Sequence, residues 1–217
     1  MYLTRMRLDV TKRDTMRALA EPKYFHGAIE RSFAGERKRN LWRLDALGGE
    51  QYLMLLSEEK PDLTAAAEQF GHADVSAAWE TRDYAPLLAR IQDGTRWHFR
   101  LTANPTKHGP GNAATGQRGK VMPHITAEHQ QRWLMGKAPN HGFTLMEGEF
   151  LVVQNQWYQF RKPATGNRPV SLLSVTFEGM LTVTDAELFR RTLTEGIGRG
   201  KAYGMGMLTV VRVVEDA

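Results

Sequence analysis

The stretch "NLWRLDALGGEQYLMLLSE", residues 40–58, decides how the chain folds. Two runs rich in Leu, Trp and Tyr flank Gly48-Gly49-Glu50, and apolar runs separated by paired glycines predict a β-hairpin. Helical patterns lie on both sides of it. Before it come "KRDTMRALA" (12–20) and "PKYFHGAIERSF" (22–33), where Phe25, Ile29 and Phe33 recur at helical spacing and Pro22 is set for a helix start. After it comes "DLTAAAEQF" (62–70). Outermost are the alternating strand "YLTRMRLDV" (2–10) and a weaker strand in "VSAAWETRDY" (75–84). A central hairpin, a helix on either side and a strand at each end give β-α-β-β-α-β, the ferredoxin-like pattern.

The same rhythm returns from residue 95. "TRWHFRLTANP" reads as a strand stopped at Asn104-Pro105, followed by a polar stretch over 106–124. "TAEHQQRWLMGK" reads as a helix capped by Thr126. "FTLMEGEFLVVQNQWYQF" and "VSLLSVTFEGMLTV" read as two long strands joined by "RKPATGNRP". "DAELFRRTLTEG" is a helix capped by Asp185 and ended by Gly196, and "GMLTVVRVV" is the last strand. The expected fold is α+β, a tandem of ferredoxin-like (RRM-like) βαββαβ domains over residues 1–90 and 95–217. The aromatic RNP pattern of RNA-recognition motifs is absent, so base stacking on the sheet face is not expected.

Charge is unevenly spread along the chain, whose formal net charge is +5. Residues 95–125 hold five bases (Arg96, Arg100, Lys107, Arg118, Lys120) and no carboxylate; residues 150–177 hold three (Arg161, Lys162, Arg168) and again none. Residues 61–94 carry six acids against two bases. Such asymmetry favours a polyanionic partner. With no cysteine, disulfides, thiolate catalysis and thiolate zinc sites are excluded, as suits a cytoplasmic protein. The N-terminus has no signal-peptide core, and no run approaches the roughly 20 apolar residues of a membrane span. His124 and His129 lack the carboxylate of a zinc helix motif, and the other histidines are scattered, so neither metal nor cofactor is expected.

"GIGRGKAYGMG", residues 196–206, has five glycines interleaved with Arg199 and Lys201. It matches neither a Walker A loop nor G-x-G-x-x-G, and it follows a helix and precedes a strand, the reverse of nucleotide-binding order. A tight helix-to-strand connection accounts for Gly196. A loop whose amides receive an RNA backbone accounts for Gly198, Gly200 and their neighbours, and is the expectation adopted. "RKPATGNRP" reads either as a basic tip that contacts an RNA stem or as an ordinary turn. "AGERKRNLWR" (34–43) is equally open between a phosphate-contacting patch and a solvated connection.

Taken together, "MYLTRMRLD", "YFHGAIERSF", "LWRLD", "WHFRLTANPTK", "VTFEGMLTVTD" and "GIGRGKAYGMGMLTV" resemble, nearly end to end, the CasE family of CRISPR RNA-processing endoribonucleases of the type I-E system. The resemblance implies tandem ferredoxin-like domains. It implies metal-independent cleavage of the repeat hairpin of precursor CRISPR RNA, leaving a 2′,3′-cyclic phosphate, and retention of the product within the Cascade complex beside other subunits. It puts the catalytic histidine at His26, with Tyr24 the nearest match to a tyrosine partner. Two residues are about 200° of helical rotation, so Tyr24 and His26 meet only if the helix begins at them. Arg31 is a candidate for holding the phosphate, or a surface helix residue. RNA-binding candidates are Arg96, Arg100, Lys107, Arg161, Lys162, Arg168, Gly196, Gly198, Arg199, Gly200 and Lys201. The rival from another class is a non-catalytic RNA-hairpin-binding scaffold subunit.

Overall fold

The computed structural model describes residues 1–35, 38–72, 78–109, 119–162 and 168–213. The first half comprises β1 (Tyr2–Leu8), α1 (Arg13–Ala20), α2 (Lys23–Arg31), β2 (Leu41–Leu47), β3 (Glu50–Ser57), α3 (Thr64–Phe70) and β4 (Trp79–Asp83). Gly48 and Gly49 have φ of 59° and 82°, and Leu47 pairs with Glu50. Two positive φ angles are what a type I′ turn demands, and glycine meets them without a Cβ clash. The four strands form an antiparallel sheet in the order β2-β3-β1-β4. Phe25, Ile29, Trp42 and Phe70 are each no more than 1% exposed in the core beneath the helices. Burial of each such side chain contributes about 1.5–3 kcal/mol.

A single helical turn, α4 (Ala85–Leu88), leads into β5 (Arg96–Ala103), β6 (Thr106–His108), β7 (Val121–Pro123), α5 (Ala127–Lys137), β8 (Phe143–Thr144), β9 (Phe150–Lys162), β10 (Arg168–Val183), α6 (Ala186–Glu195) and β11 (Leu208–Arg212). The second sheet runs β11-β5-β10, with β9 and β8 both pairing β10. With β9 as the second strand of its unit, the order repeats that of the first sheet. Thr126 accepts from His129 N–H, and Asp185 from Leu188 N–H, so both expected caps form. The fold is the tandem ferredoxin-like pair.

Two segments depart from expectation. The single strand expected over 143–160 is split into β8 and β9 by a turn in which Gly148 has φ of 83°. The polar stretch contains the β6–β7 hairpin, whose connecting residues 110–118, with Arg118, lie outside the described residues. So do residues 75–77 of the weak strand and residues 36–37 of the basic patch.

One buried cation joins the two sheets. Arg43 on β2 is 2% exposed. Its Nε donates to Asp45 Oδ1 and its Nη2 to Asp45 Oδ2, both at 2.7 Å. Nη1 donates to the carbonyls of Arg100 (2.8 Å) and Met207 (3.1 Å), and Nη2 to Thr209 Oγ1 (2.9 Å). All five guanidinium N–H groups are therefore used, two within β2 and three across to the second sheet.

Candidate active site

α2 begins where the Tyr24–His26 spacing requires. Pro22 is its N-cap, His26 N–H donates to the Pro22 carbonyl at 3.2 Å, and Tyr24 N–H donates to the Glu21 carbonyl at 3.1 Å. The side chains nevertheless diverge. The Tyr24 ring packs against the first core, with the Arg17 guanidinium 4.4 Å and the Lys23 ammonium 5.1 Å from its centroid. His26 faces a cleft instead. Its Nδ1 lies 3.9 Å from Glu30 Oε1, one turn on. Tyr24 is not among the described residues that line this cleft. Near 200° of rotation separates the two side chains even at the first turn.

The cleft has a volume of about 550 Å³. One side is α2 (His26, Glu30) and the segment Lys38–Asn40; the other is the glycine-rich loop, from Gly198 to Ala202. The loop packs on α2 through its 3₁₀ turn, Lys201–Tyr203. The structure thus joins His26 to Gly198, Arg199, Gly200 and Lys201, residues far apart in sequence. Lys38 is held by Glu58 (3.1 Å) and Glu59 (2.8 Å). Arg39, Arg199 and Lys201 form no ion pair with a described carboxylate, so the cleft gathers three cations around one imidazole. Burial lowers the Lys201 pKa, nearby Arg39 lowers it further, and Glu195 opposes them.

The glycines of the loop have an internal reason. All five have positive φ, from 75° to 96°. A Cβ would lie 2.6 Å from the Gly206 carbonyl at Gly196, 2.8 Å from Met205 Sδ at Gly200 and 2.8 Å from the Trp42 ring at Gly204. The expectation that a tight connection explains Gly196 alone is corrected: close packing on Leu41 and Trp42 of β2 and on the loop itself requires glycine at most of these positions. Gly198 and Arg199 remain exposed toward the cleft.

The other candidates lie outside the cleft. Arg31 is exposed on α2, its Nη1 3.5 Å from where a Gly27 Cβ would sit. Arg96 pairs with Glu149 at 2.7 Å. Arg100 bonds to Glu178, and its Nε lies 3.0 Å from Asp45 without hydrogen-bond alignment, which makes that approach an ion pair only. The 95–125 block free of carboxylates in sequence is thus not free of them in space, because neighbouring strands supply Glu149, Glu178 and Asp45. Lys107 is exposed on β6. Arg161 is exposed near the tip of β9, and its carbonyl accepts from Lys23 Nζ at 3.5 Å, tying that hairpin to the start of α2. Lys162 pairs with Arg168 in the ladder; residues 163–167 and the side chains of Lys162 and Arg168 lie outside the described set. Arg39 was missed as an individual residue, its only sequence mark being the charge run "ERKR".

Comparison with known proteins covers nearly the whole chain. The family model for "CRISPR associated protein" matches residues 1–212. The CRISPR-associated endoribonuclease Cse3 of Thermus thermophilus is 34% identical over 97% of this chain and 99% of its own. A structure of Thermus thermophilus Cse3 bound to an RNA representing a pre-cleavage complex superposes with a TM-score of 0.79 at 28% identity, covering 97% of this chain and 98% of that one. The Cascade subunit CasE of Escherichia coli K12 is 29% identical over 56% of this chain and 60% of its own. With its fold and its full-length similarity in accord, the chain belongs to the CRISPR-associated protein family, in the CasE group of endoribonucleases.

Proposed function

We propose that this protein cuts the repeat hairpin of precursor CRISPR RNA without a metal ion and stays on the mature hairpin as a Cascade subunit. The observation that carries the proposal is the convergence of His26 with Arg39, Arg199 and Lys201 in one cleft. RNA brings its own nucleophile, the 2′-hydroxyl beside the scissile phosphate. Its oxygen attacks phosphorus, the 5′ oxygen departs, and a 2′,3′-cyclic phosphate remains. An imidazole titrating near neutrality serves one of the two proton transfers. The cations hold the phosphate in line and offset the charge that builds on it. Tyr24, stacked beneath Arg17, fixes the start of the catalytic helix. Among the described residues no group of three or more His, Asp or Glu side chains could hold a metal, and no helix is long and apolar enough to cross a membrane. The setting we propose is the cytoplasm. Residues 1–90 form the domain with the catalytic helix, and 95–217 the domain with the basic hairpin and the glycine-rich loop.

Labelled repeat RNA incubated with the protein in EDTA tests the reaction. The expected 5′ fragment carries a cyclic phosphate by mass spectrometry. A 3′-hydroxyl product would mean a different mechanism, and intact RNA would favour the scaffold reading.

Stem binding is proposed for Arg161, Lys162 and Arg168, at the hairpin tip that Lys23 ties to α2. Replacing all three by Ala should weaken RNA binding and reduce the slope of log K against log[salt] by about 0.7–0.9 for each phosphate no longer neutralised. Titrations at several salt concentrations read this directly. An unchanged slope would remove the hairpin from the RNA interface and leave Lys107, exposed on β6, as the better candidate.

A further inference from the structure

The reaction proposed above needs two proton transfers, one from the 2′-hydroxyl and one to the departing 5′ oxygen. His26 can serve one of them. The described groups around the cleft narrow the choice for the other. Arg39 and Arg199 do not release protons at any working pH. Lys38 is bound by Glu59 and Glu58, which raise its pKa and hold its proton. Glu30 Oε1 lies 3.9 Å from His26 Nδ1, where it is placed to orient the imidazole. Lys201 remains.

Its setting is built rather than incidental. Lys201 opens the 3₁₀ turn of the glycine-rich loop, and its stem runs over Gly206: a Cβ there would lie 3.2 Å from Lys201 Cγ and 3.4 Å from Cε. Gly206 thus forms a slot that holds the methylenes and limits the directions the ammonium can take. The charged groups facing Lys201 are Arg39 from the segment after α2, Glu195 from the end of α6 and His141 from the turn after α5. Two of these sides disfavour the ammonium or are neutral toward it, so its proton is more readily given up than that of a solvated lysine.

We propose that Lys201 is the general acid of the cleavage step, with His26 as the base. The inference rests on the 2′-hydroxyl mechanism proposed above. His26 takes the 2′-hydroxyl proton as that oxygen bonds to phosphorus. The bond from phosphorus to the 5′ oxygen breaks, and its electron pair stays on the oxygen. The Lys201 ammonium protonates that oxygen, giving a 5′-hydroxyl and a neutral amine. Water then returns a proton to the amine and removes one from the imidazolium.

The test compares two repeat-hairpin RNAs, one natural and one with sulfur in place of the bridging 5′ oxygen. A thiolate leaves without protonation, so the sulfur substrate no longer needs the acid. Lys201→Met keeps the stem over Gly206 and removes the ammonium. Under single-turnover conditions with saturating protein, it should slow the natural RNA by about 10²–10⁴-fold, the usual share of general acid–base catalysis. On the sulfur RNA it should fall within a few-fold of the unsubstituted protein. Lys201→Arg keeps the charge without a releasable proton, and should not rescue the natural substrate. Equal slowing on both substrates, rescue by Arg, or a loss of affinity with the single-turnover rate intact would each overturn the assignment. If the unsubstituted protein yields no cyclic phosphate from either RNA, the underlying mechanism fails instead, which the product masses distinguish.

Discussion

Replacing His26 by Ala should slow cleavage of the repeat hairpin by about 10²–10⁴-fold while leaving its affinity for the RNA nearly unchanged. The split follows from the cleft. In the proposed reading Arg39, Arg199 and Lys201 supply the charge that holds the phosphate, and they reach the cleft from segments other than α2. On the same reading His26 serves one proton transfer and adds no fixed charge that holds the RNA. Tyr24 is the internal control. Its ring sits under Arg17 and against the core, an arrangement that needs the aromatic face and not the hydroxyl. Tyr24→Phe should therefore cleave within a few-fold of the unsubstituted rate. Single-turnover rates and equilibrium binding on the same preparations read both effects. Unchanged cleavage in His26→Ala would sink the assignment, and a large loss of affinity would recast His26 as a binding residue. A Tyr24→Phe defect as deep as that of His26→Ala would mean that the phenol swings into the cleft when RNA binds.

Elements governed by their own residues were legible in the sequence. Gly48-Gly49 specifies its turn by φ alone, Thr126 and Asp185 cap the helices that follow them, and the spacing of Phe25 and Ile29 fixes which face of α2 is buried. What stayed hidden depends on partners distant in sequence. The glycines at 196, 200 and 204 look like ligand-binding residues until Leu41, Trp42 and Met205 are seen against them. Arg100 looks like a free base until Glu178 and Asp45 arrive from other strands. The break between β8 and β9 hangs on Gly148, a lone glycine between Glu147 and Glu149 with apolar runs beyond them. The cleft itself could not be read at all, because α2 and the glycine-rich loop meet only through tertiary packing. His26 was found by resemblance to a family, and Arg39 was found only in space.

The meeting of α2 with the loop depends on how the two sheets are joined, which makes Arg43→Met the most destabilising substitution we expect. Leu41, Trp42 and Arg43 form a short rail on β2. Leu41 fits against Gly196, Trp42 covers Gly204, and Arg43 bonds the carbonyls of Arg100 and Met207 and the hydroxyl of Thr209. Trp42 also packs against Phe25, the neighbour of His26, with ring centroids 6.0 Å apart. The rail thus reaches from α2 to both ends of the loop. Arg43→Met keeps the volume but leaves Asp45, 3% exposed, without its bidentate partner and with only the Arg100 ion pair at 3.0 Å. Breaking one member of a buried pair costs about 3–5 kcal/mol when the charge left behind is unpaired, and the remaining Arg100 ion pair puts the expected loss near the lower end of that range. Urea denaturation should show that loss. Arg43→Met combined with Asp45→Leu removes both charges, and should recover much of the stability, as apolar replacement of a whole buried pair generally does. The double variant should still cleave more slowly than the unsubstituted protein, since the three bonds from β2 to the second sheet stay broken and the width of the cleft is no longer fixed. A single variant within about 1 kcal/mol of the unsubstituted protein would show that the Arg100 ion pair alone holds Asp45, or that Arg43 contributes no more than an exposed ion pair does. A stable double variant that cleaves at the full rate would show that the packing of Leu41 and Trp42 on the loop holds the cleft without Arg43.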